Sequence, residues 1–132
     1  MAVRRCYLAR HNKGAEMRVK TYYIAGPMRS IKWFNFPAFD AAADRLRSEG
    51  YNVLNPADMD REVGFDAMDL PENHDWDTVS ADFDFAACVD RDIAAVKACD
   101  AIYLLPGWQD STGARAEYAL AKWLGKEIIQ EA

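Results

Sequence analysis

Two carboxylates occupy positions where a soluble helix ordinarily presents apolar side chains. At about 100° per residue on a helix, Asp92 falls between Phe85, Cys88, Val89, Val96 and Cys99, and Glu117 falls among Gly113, Ala114, Leu120, Ala121 and Leu124. Arg115 and Lys122 point the other way. Asp and Glu are almost never fully buried unless paired, so a carboxylate on each core-facing stripe indicates a cleft in which acids act. Burial and mutual repulsion there favour the protonated form of at least one of them, which a general acid needs near neutral pH. The alternative reading of the same spacing is a pair of acids at the stripe edges, or acids satisfied by an arginine or a backbone donor.

A second constellation lies just ahead of Glu117. Asp110-Ser111-Thr112-Gly113 opens a helix, where free backbone N–H groups, the positive end of the helix dipole, two hydroxyls and a glycine that permits close approach converge. Such a helix start holds a phosphate, and an ordinary Ser or Asp N-cap has the same sequence. Arg29 and Ser30, in the loop that begins at Gly26-Pro27-Met28, can add a charged and a neutral donor to the same anion. Trp33, Phe34 and Trp108 sit in the two loops and can sandwich a flat base. His74-Asp75-Trp76-Asp77 and Asp58-Met59-Asp60 contain metal-capable side chains without the spacing of a zinc or calcium loop. No glycine-rich dinucleotide loop or Walker-type loop occurs. Neither a metal nor a cofactor is expected.

The elements that must position these residues alternate regularly from Lys20 onward. Thr21-Tyr22-Tyr23-Ile24-Ala25 is a β-rich run broken by Gly26-Pro27. Asn35 can cap a helix over about 36–49, whose Phe36, Phe39, Ala43 and Leu46 recur at helical spacing before Gly50. A second strand, Tyr51-Asn52-Val53-Leu54, stops at Asn55-Pro56. A third, Ala101-Ile102-Tyr103-Leu104-Leu105, lies between helices over about 84–98 and 112–124, and Lys126-Glu127-Ile128-Ile129 is the last. The acidic stretch 58–84 lacks periodicity and reads as a long loop with short helical turns, of the kind that forms lids and binding loops. Strands separated by helices make this an α/β chain, a small domain with a mainly parallel sheet of about 4–5 strands and helices on both faces. Ligands bind such sheets beyond the carboxyl ends of the strands, which selects the loops after the first and third strands.

With 132 residues, 51% of them hydrophobic, the chain suits one domain with a sizeable core. Its net charge of −5 argues against a polymeric nucleic-acid partner and leaves small anionic ligands open. Cys6, Cys88 and Cys99 are odd in number and outside any CxxC or Cys/His spacing, as expected of reduced thiols in a cytoplasm, with Cys88 and Cys99 in the core. No apolar run is long enough for a membrane span or continuous enough for a secretory signal, so a soluble cytoplasmic protein with no membrane partner is expected. Residues 1–19 hold Arg4, Arg5, Arg10, Lys13 and Arg18 against Glu16 alone and read as a poorly ordered basic leader, with Met17 as a second candidate start. A basic arm that touches nucleic acid is the functional alternative. Residues 20–132 read as the folded domain. Trp33, Phe34, Phe36 and Trp123 exceed what one face of each helix needs for its own core, and this surplus predicts a homo-oligomer, in the first place a dimer.

Three segments carry a family resemblance by their order and spacing: Tyr23-Ile24-Ala25-Gly26-Pro27-Met28-Arg29; Arg91-Asp92-Ile93 followed by Ala98-Cys99-Asp100-Ala101; and Asp110-Ser111-Thr112-Gly113-Ala114-Arg115-Ala116-Glu117-Tyr118-Ala119. Over about residues 20–130 the chain resembles the nucleoside 2-deoxyribosyltransferase-like superfamily, and within it the 2'-deoxynucleoside 5'-phosphate N-hydrolase branch. The resemblance implies a Rossmann-like homo-oligomer that cleaves the N-glycosidic bond of a deoxynucleoside or its monophosphate. Glu117 would match the family's nucleophile, Asp92 its acid/base carboxylate at the nucleobase, and Tyr23 the residue that orients the nucleophile. Ser111 would match a serine that binds the 5'-phosphate, with Thr112, Gly113 and the Gly26, Pro27, Met28 and Arg29 loop completing the substrate site. The chemistry agrees with the two helical stripes. N-glycosidic cleavage develops oxocarbenium charge at the anomeric carbon and negative charge on the departing base, so one carboxylate must face the sugar and a proton donor must face the base. Two alternatives stand beside this expectation: a deoxyribosyltransferase acting on free nucleosides, and a module that holds a nucleotide without turning it over. A third would treat the acidic stretch as a surface for a protein partner.

Overall fold

The computed structural model describes residues 18–29, 31–75 and 83–132. Four strands, β1 (Thr21–Ala25), β2 (Asn52–Leu54), β3 (Ala101–Leu104) and β4 (Glu127–Gln130), form one sheet in the order β2-β1-β3-β4. All pairings in it are parallel: Tyr23 lies opposite Leu54 on one side and Ile102 on the other, and Ile102 lies opposite Ile128. Helix α1 (Phe36–Ser48) links β1 to β2, α2 (Pro56–Glu62) and α3 (Phe85–Ala98) lie between β2 and β3, and α4 (Thr112–Trp123) links β3 to β4. The chain therefore builds outward from β1 to one edge, then recrosses to build the other, and the strand order reverses between β1 and β3. This is the small α/β, Rossmann-like domain that the alternation of strand and helix signals predicts.

Period-two alternation along β1 distributes the core. Tyr22 and Ile24 pack with Phe36, Phe39, Ala43 and Leu46 of α1, whereas Tyr23 and Ala25 pack with Val96 of α3 and Ala114 and Ala121 of α4. Strands β1 and β3 are covered on both faces, which is why each reads as an unbroken hydrophobic run. Burial of each large side chain such as Phe36 or Ile102 contributes about 1.5–3 kcal/mol.

Side-chain caps fix three helix starts. Asn55 accepts the Ala57 N–H, Asp84 that of Ala87 and Ser111 that of Ala114, at 3.1, 3.1 and 3.2 Å. Helix α1 starts differently from the expected Asn35 cap. Asn35 has φ 59°, its amide donates to the Pro27 carbonyl at 3.0 Å, and Pro37 stands in the first turn. Trp33 and Phe34 share the left-handed conformation with φ of 54° and 52°, at a cost of about 1–2 kcal/mol per residue. That turn carries the Phe34 ring inward, 5.5 Å from Phe65.

The first part of the acidic stretch holds the short helical turns expected of it. It opens inside α2 and continues through a 3-10 turn, Ala67–Asp69. Arg61 gathers two of its acids and one from α1: Nη2 and Nη1 reach Asp40 of α1 at 2.7 and 3.0 Å, Nη1 reaches Asp58 at 3.2 Å, and Nε reaches Asp66 at 3.3 Å. Asp58 also accepts from Arg47 at 2.9 Å. These carboxylates neutralise arginines inside the domain instead of forming a bare acidic face. Of the expected leader, residues 1–17 lie outside the described residues, as do Ser30, Trp76 and Asp77. Arg18 is tied to Asp100 at 2.7 Å.

The apolar surplus lies only partly where expected. Phe34 and Phe36 are buried in the core, while Trp123 (85% exposed) and Leu124 on or just after α4, and Ile93 on α3, face outward. Among the described residues no helix is long and apolar enough to cross a membrane.

Candidate active site

Where the strand order reverses, beyond the carboxyl ends of β1 and β3, a cavity of about 620 Å³ opens, a size ordinary for small-molecule sites. The loop 26–29 after β1 forms one border, the start of α4 the other, and the first half of α3 closes the cavity from a third side. Tyr23 and Ile24 of β1 also line it.

Both singled-out carboxylates line this cavity. Tyr23, fully buried, donates its hydroxyl to Glu117 Oε2 at 2.5 Å. Burial pushes the Glu117 carboxyl up to about 8; the Tyr23 hydrogen bond and Arg91 oppose the rise, and the Asp92 charge adds to it. Burial likewise holds the Tyr23 phenol well above its ordinary value, with the Glu117 and Asp92 charges in support, so Tyr23 is a neutral donor at physiological pH. Asp92 is raised by burial too, but Arg91 beside it pulls the other way while Asp60 adds to the rise. Arg91 reaches Asp92 Oδ1 with Nε at 3.0 Å and with Nη2 at 2.9 Å, and reaches Asp60 Oδ1 with Nη1 at 2.7 Å. Asp60 is only 4% exposed. Burial raises its carboxyl, and the hydrogen bond and charge of Arg91 restrain that rise. The alternative reading of an arginine-satisfied acid therefore holds for Asp92, inside the cleft that the first reading expects.

The apolar stripe of α3 divides along its length. Val96, and Cys99 just past the helix end, are buried, whereas Phe85, Cys88 and Val89 line the cavity with Asp92. Cys88 is thus a half-buried wall residue and not core; burial raises its thiol.

Ser111, Thr112 and Gly113 line the cavity at the α4 start. The cap and anion readings of Ser111 coexist, because a hydroxyl oxygen that accepts the Ala114 N–H still has a proton to donate. Thr112 Oγ1 accepts from Arg115 at 3.4 Å. A Cβ on Gly113 would meet nothing within 4 Å, so the bare glycine leaves open space. Gly26 has another reason to be glycine: a Cβ there would lie 2.8 Å from Leu105 Cβ, so the close approach of the β1 and β3 ends dictates it. Pro27, Met28 and Arg29 border the cavity, and the Arg29 guanidinium stacks 4.3 Å from the Phe85 ring centroid.

Of the three aromatics expected to sandwich a base, Phe34 alone lines the cavity, and its companions there are Phe39, Phe83 and Phe85. Trp33 turns its Nε1 to the Leu70 carbonyl at 3.1 Å, and Trp108 packs on Tyr118 with ring centroids 4.7 Å apart. The metal-capable acids Asp58 and Asp60 are held by arginines, and His74 Nδ1 lies 3.2 Å from the Pro71 carbonyl. Among the described residues no three such side chains converge on one centre. Sequence reasoning reads Asp60 only as a metal-capable acid and gives Arg91 no role; a carboxylate and a guanidinium 31 positions apart carry no spacing signal.

The family model described as a domain of unknown function (DUF4406) matches residues 20–130, and the chain belongs to that family. No curated protein matches the chain.

Proposed function

We propose that this protein cleaves the N-glycosidic bond of a deoxynucleoside 5'-monophosphate through a covalent deoxyribosyl ester on Glu117. The observation that carries the reading is the opening of two carboxylates, one held by Tyr23 and one by Arg91, onto a single cavity. The resemblance to deoxyribosyltransferase-like proteins supports it, as does the α4 start, whose backbone N–H groups and Ser111 hydroxyl suit a 5'-phosphate. The phenylalanines of the cavity suit a planar base.

In this mechanism a Glu117 carboxylate oxygen forms a bond to the anomeric carbon as the bond to the base nitrogen breaks. The electron pair leaves with the base, which takes its proton from Asp92. Water then cleaves the ester, giving its hydroxyl to the anomeric carbon and its proton to Asp92, and Glu117 is regenerated. Before substrate binds, the proton of the pair favours Glu117, whose affinity for it is raised to about 8, while Arg91 favours the charge on Asp92. The productive form carries the proton on Asp92, a minority arrangement of the same singly protonated pair. Activity is therefore bell-shaped in pH, lost above about 8 when the last proton leaves.

Monophosphates are expected to show higher kcat/KM than the matching nucleosides, and Ser111→Ala to remove about 1–3 kcal/mol of that preference, with nucleosides nearly unaffected. A preference for free nucleosides, with base exchange when a second base is added, overturns the hydrolase reading in favour of a transferase.

The outward-facing Trp123 of α4, Leu124 just after it and Ile93 of α3 support a homodimer, which light scattering tests. Thiols at Cys88 and Cys99 without a disulfide agree with a cytoplasmic setting.

A further inference from the structure

We infer that Asp60 and Arg91 form a clamp that positions Asp92 and fixes which of its oxygens delivers the proton to the departing base. The inference rests on the proposed cleavage for its kinetic meaning, but its geometry stands apart. Adjacent residues on a helix point about 100° apart, so Arg91 does not hold Asp92 merely by being next to it. It does so because its guanidinium lies between two carboxylates, with Nη1 on Asp60 Oδ1 at 2.7 Å and with Nε and Nη2 both on Asp92 Oδ1 at 3.0 and 2.9 Å. Oδ1 thus accepts the Nε hydrogen bond and faces the rest of the guanidinium charge. Oδ2 is then the oxygen that carries a transferable proton.

Asp60 is what keeps the guanidinium in that place. Among the described residues it is one of two buried polar ones in the core, the other being Asn55, and it comes from α2, which is itself anchored to α1 by Arg61–Asp40 and Asn55–Asp40 contacts. A buried carboxylate is costly unless paired, and the partner of this one is the residue that grips the acid of the site. The charged and titratable groups facing Asp92 are Arg91 and Cys88 on its own helix, Asp60 from α2, Glu117 from α4 and Tyr23 from β1. Asp60 opposes Arg91 electrostatically at Asp92. Asp60→Asn keeps an oxygen for Arg91 but not the charge, so the Arg91 charge acts on Asp92 alone and favours its ionised form.

The test uses Asp60→Asn and Arg91→Lys. The Asp92 carboxyl is titrated by carbon NMR in ligand-free protein, and kcat/KM is followed against pH for substrates with good and poor leaving bases. In Asp60→Asn the Asp92 titration moves down by about half a pH unit or more. The acid limb of the rate profile moves with it, and the plateau for poor leaving bases falls by about tenfold or more, with little change for good ones. Arg91→Lys, which keeps the charge but loses the fork, lowers kcat for poor leaving bases without raising KM. An unchanged Asp92 titration in Asp60→Asn, a loss equal across leaving bases, or wild-type kinetics in Arg91→Lys overturns the clamp. If no substrate releases base, the proposed function fails while the titration still decides the clamp.

Discussion

Replacing Glu117 by Gln removes a carboxyl whose proton affinity the fold raises from the ordinary 4.5 to about 8, and leaves a side chain of the same shape with an oxygen for the Tyr23 hydroxyl. Between those two values the native protein holds a proton that the unfolded chain has released, so wild-type stability falls as pH rises through that window. At about 1.36 kcal/mol per pH unit the full loss is about 5 kcal/mol as an upper bound, and about 2–3 kcal/mol once the site relaxes and water enters. The glutamine protein bears no such penalty. Because other titrating groups are common to both proteins, the difference between them isolates this site. The two should match near pH 4.5, and Glu117→Gln should be more stable by that about 2–3 kcal/mol above pH 8. Urea unfolding at a series of pH values reads the difference. A difference that stays constant across the window refutes the burial of this carboxyl, and one that grows toward low pH refutes it in sign.

Tyr23→Phe removes the hydrogen bond that favours ionised Glu117, so the alkaline limb of activity should move up by about one pH unit or more while turnover falls about 10–100-fold. Gly26→Ala should destabilise by about 1–3 kcal/mol in thermal melts, because its Cβ would meet Leu105 at 2.8 Å. Gly113→Ala, with nothing within 4 Å, should be neutral or stabilising by up to about 1 kcal/mol yet weaken monophosphate binding by filling the cavity. Arg61→Ala should cost about 1–3 kcal/mol in urea unfolding, since Asp40, Asp58 and Asp66 are then left without their shared cation.

The sheet is legible in the sequence because β1 and β3 are buried on both faces and so consist of unbroken β-rich runs ended by Gly26-Pro27 and Pro106-Gly107. Helices α1, α3 and α4 are legible from their apolar periods, and Asp92 and Glu117 from being carboxylates that interrupt two of those periods, whereas Tyr23 is singled out only by the family resemblance. Helix α2 is hidden because it is short and acidic, and what it buries includes a charged Asp60. The left-handed turn at Trp33, Phe34 and Asn35 has no glycine to announce it. A helical stripe also cannot tell a core wall from a cavity wall, which is why Phe85, Cys88 and Val89 read as core. The Asp60–Arg91 pair depends on where α2 docks against α3, a tertiary fact with no local pattern.

The central claim is that Glu117 breaks an N-glycosidic bond. The direct measurement is free base released when purified protein meets a panel of deoxynucleosides, ribonucleosides and their 5'-monophosphates, run beside Glu117→Ala protein verified as folded. The account predicts base release from a deoxynucleoside 5'-monophosphate by the wild type and none by Glu117→Ala. Release from no member of the panel, or undiminished release by Glu117→Ala, would contradict it.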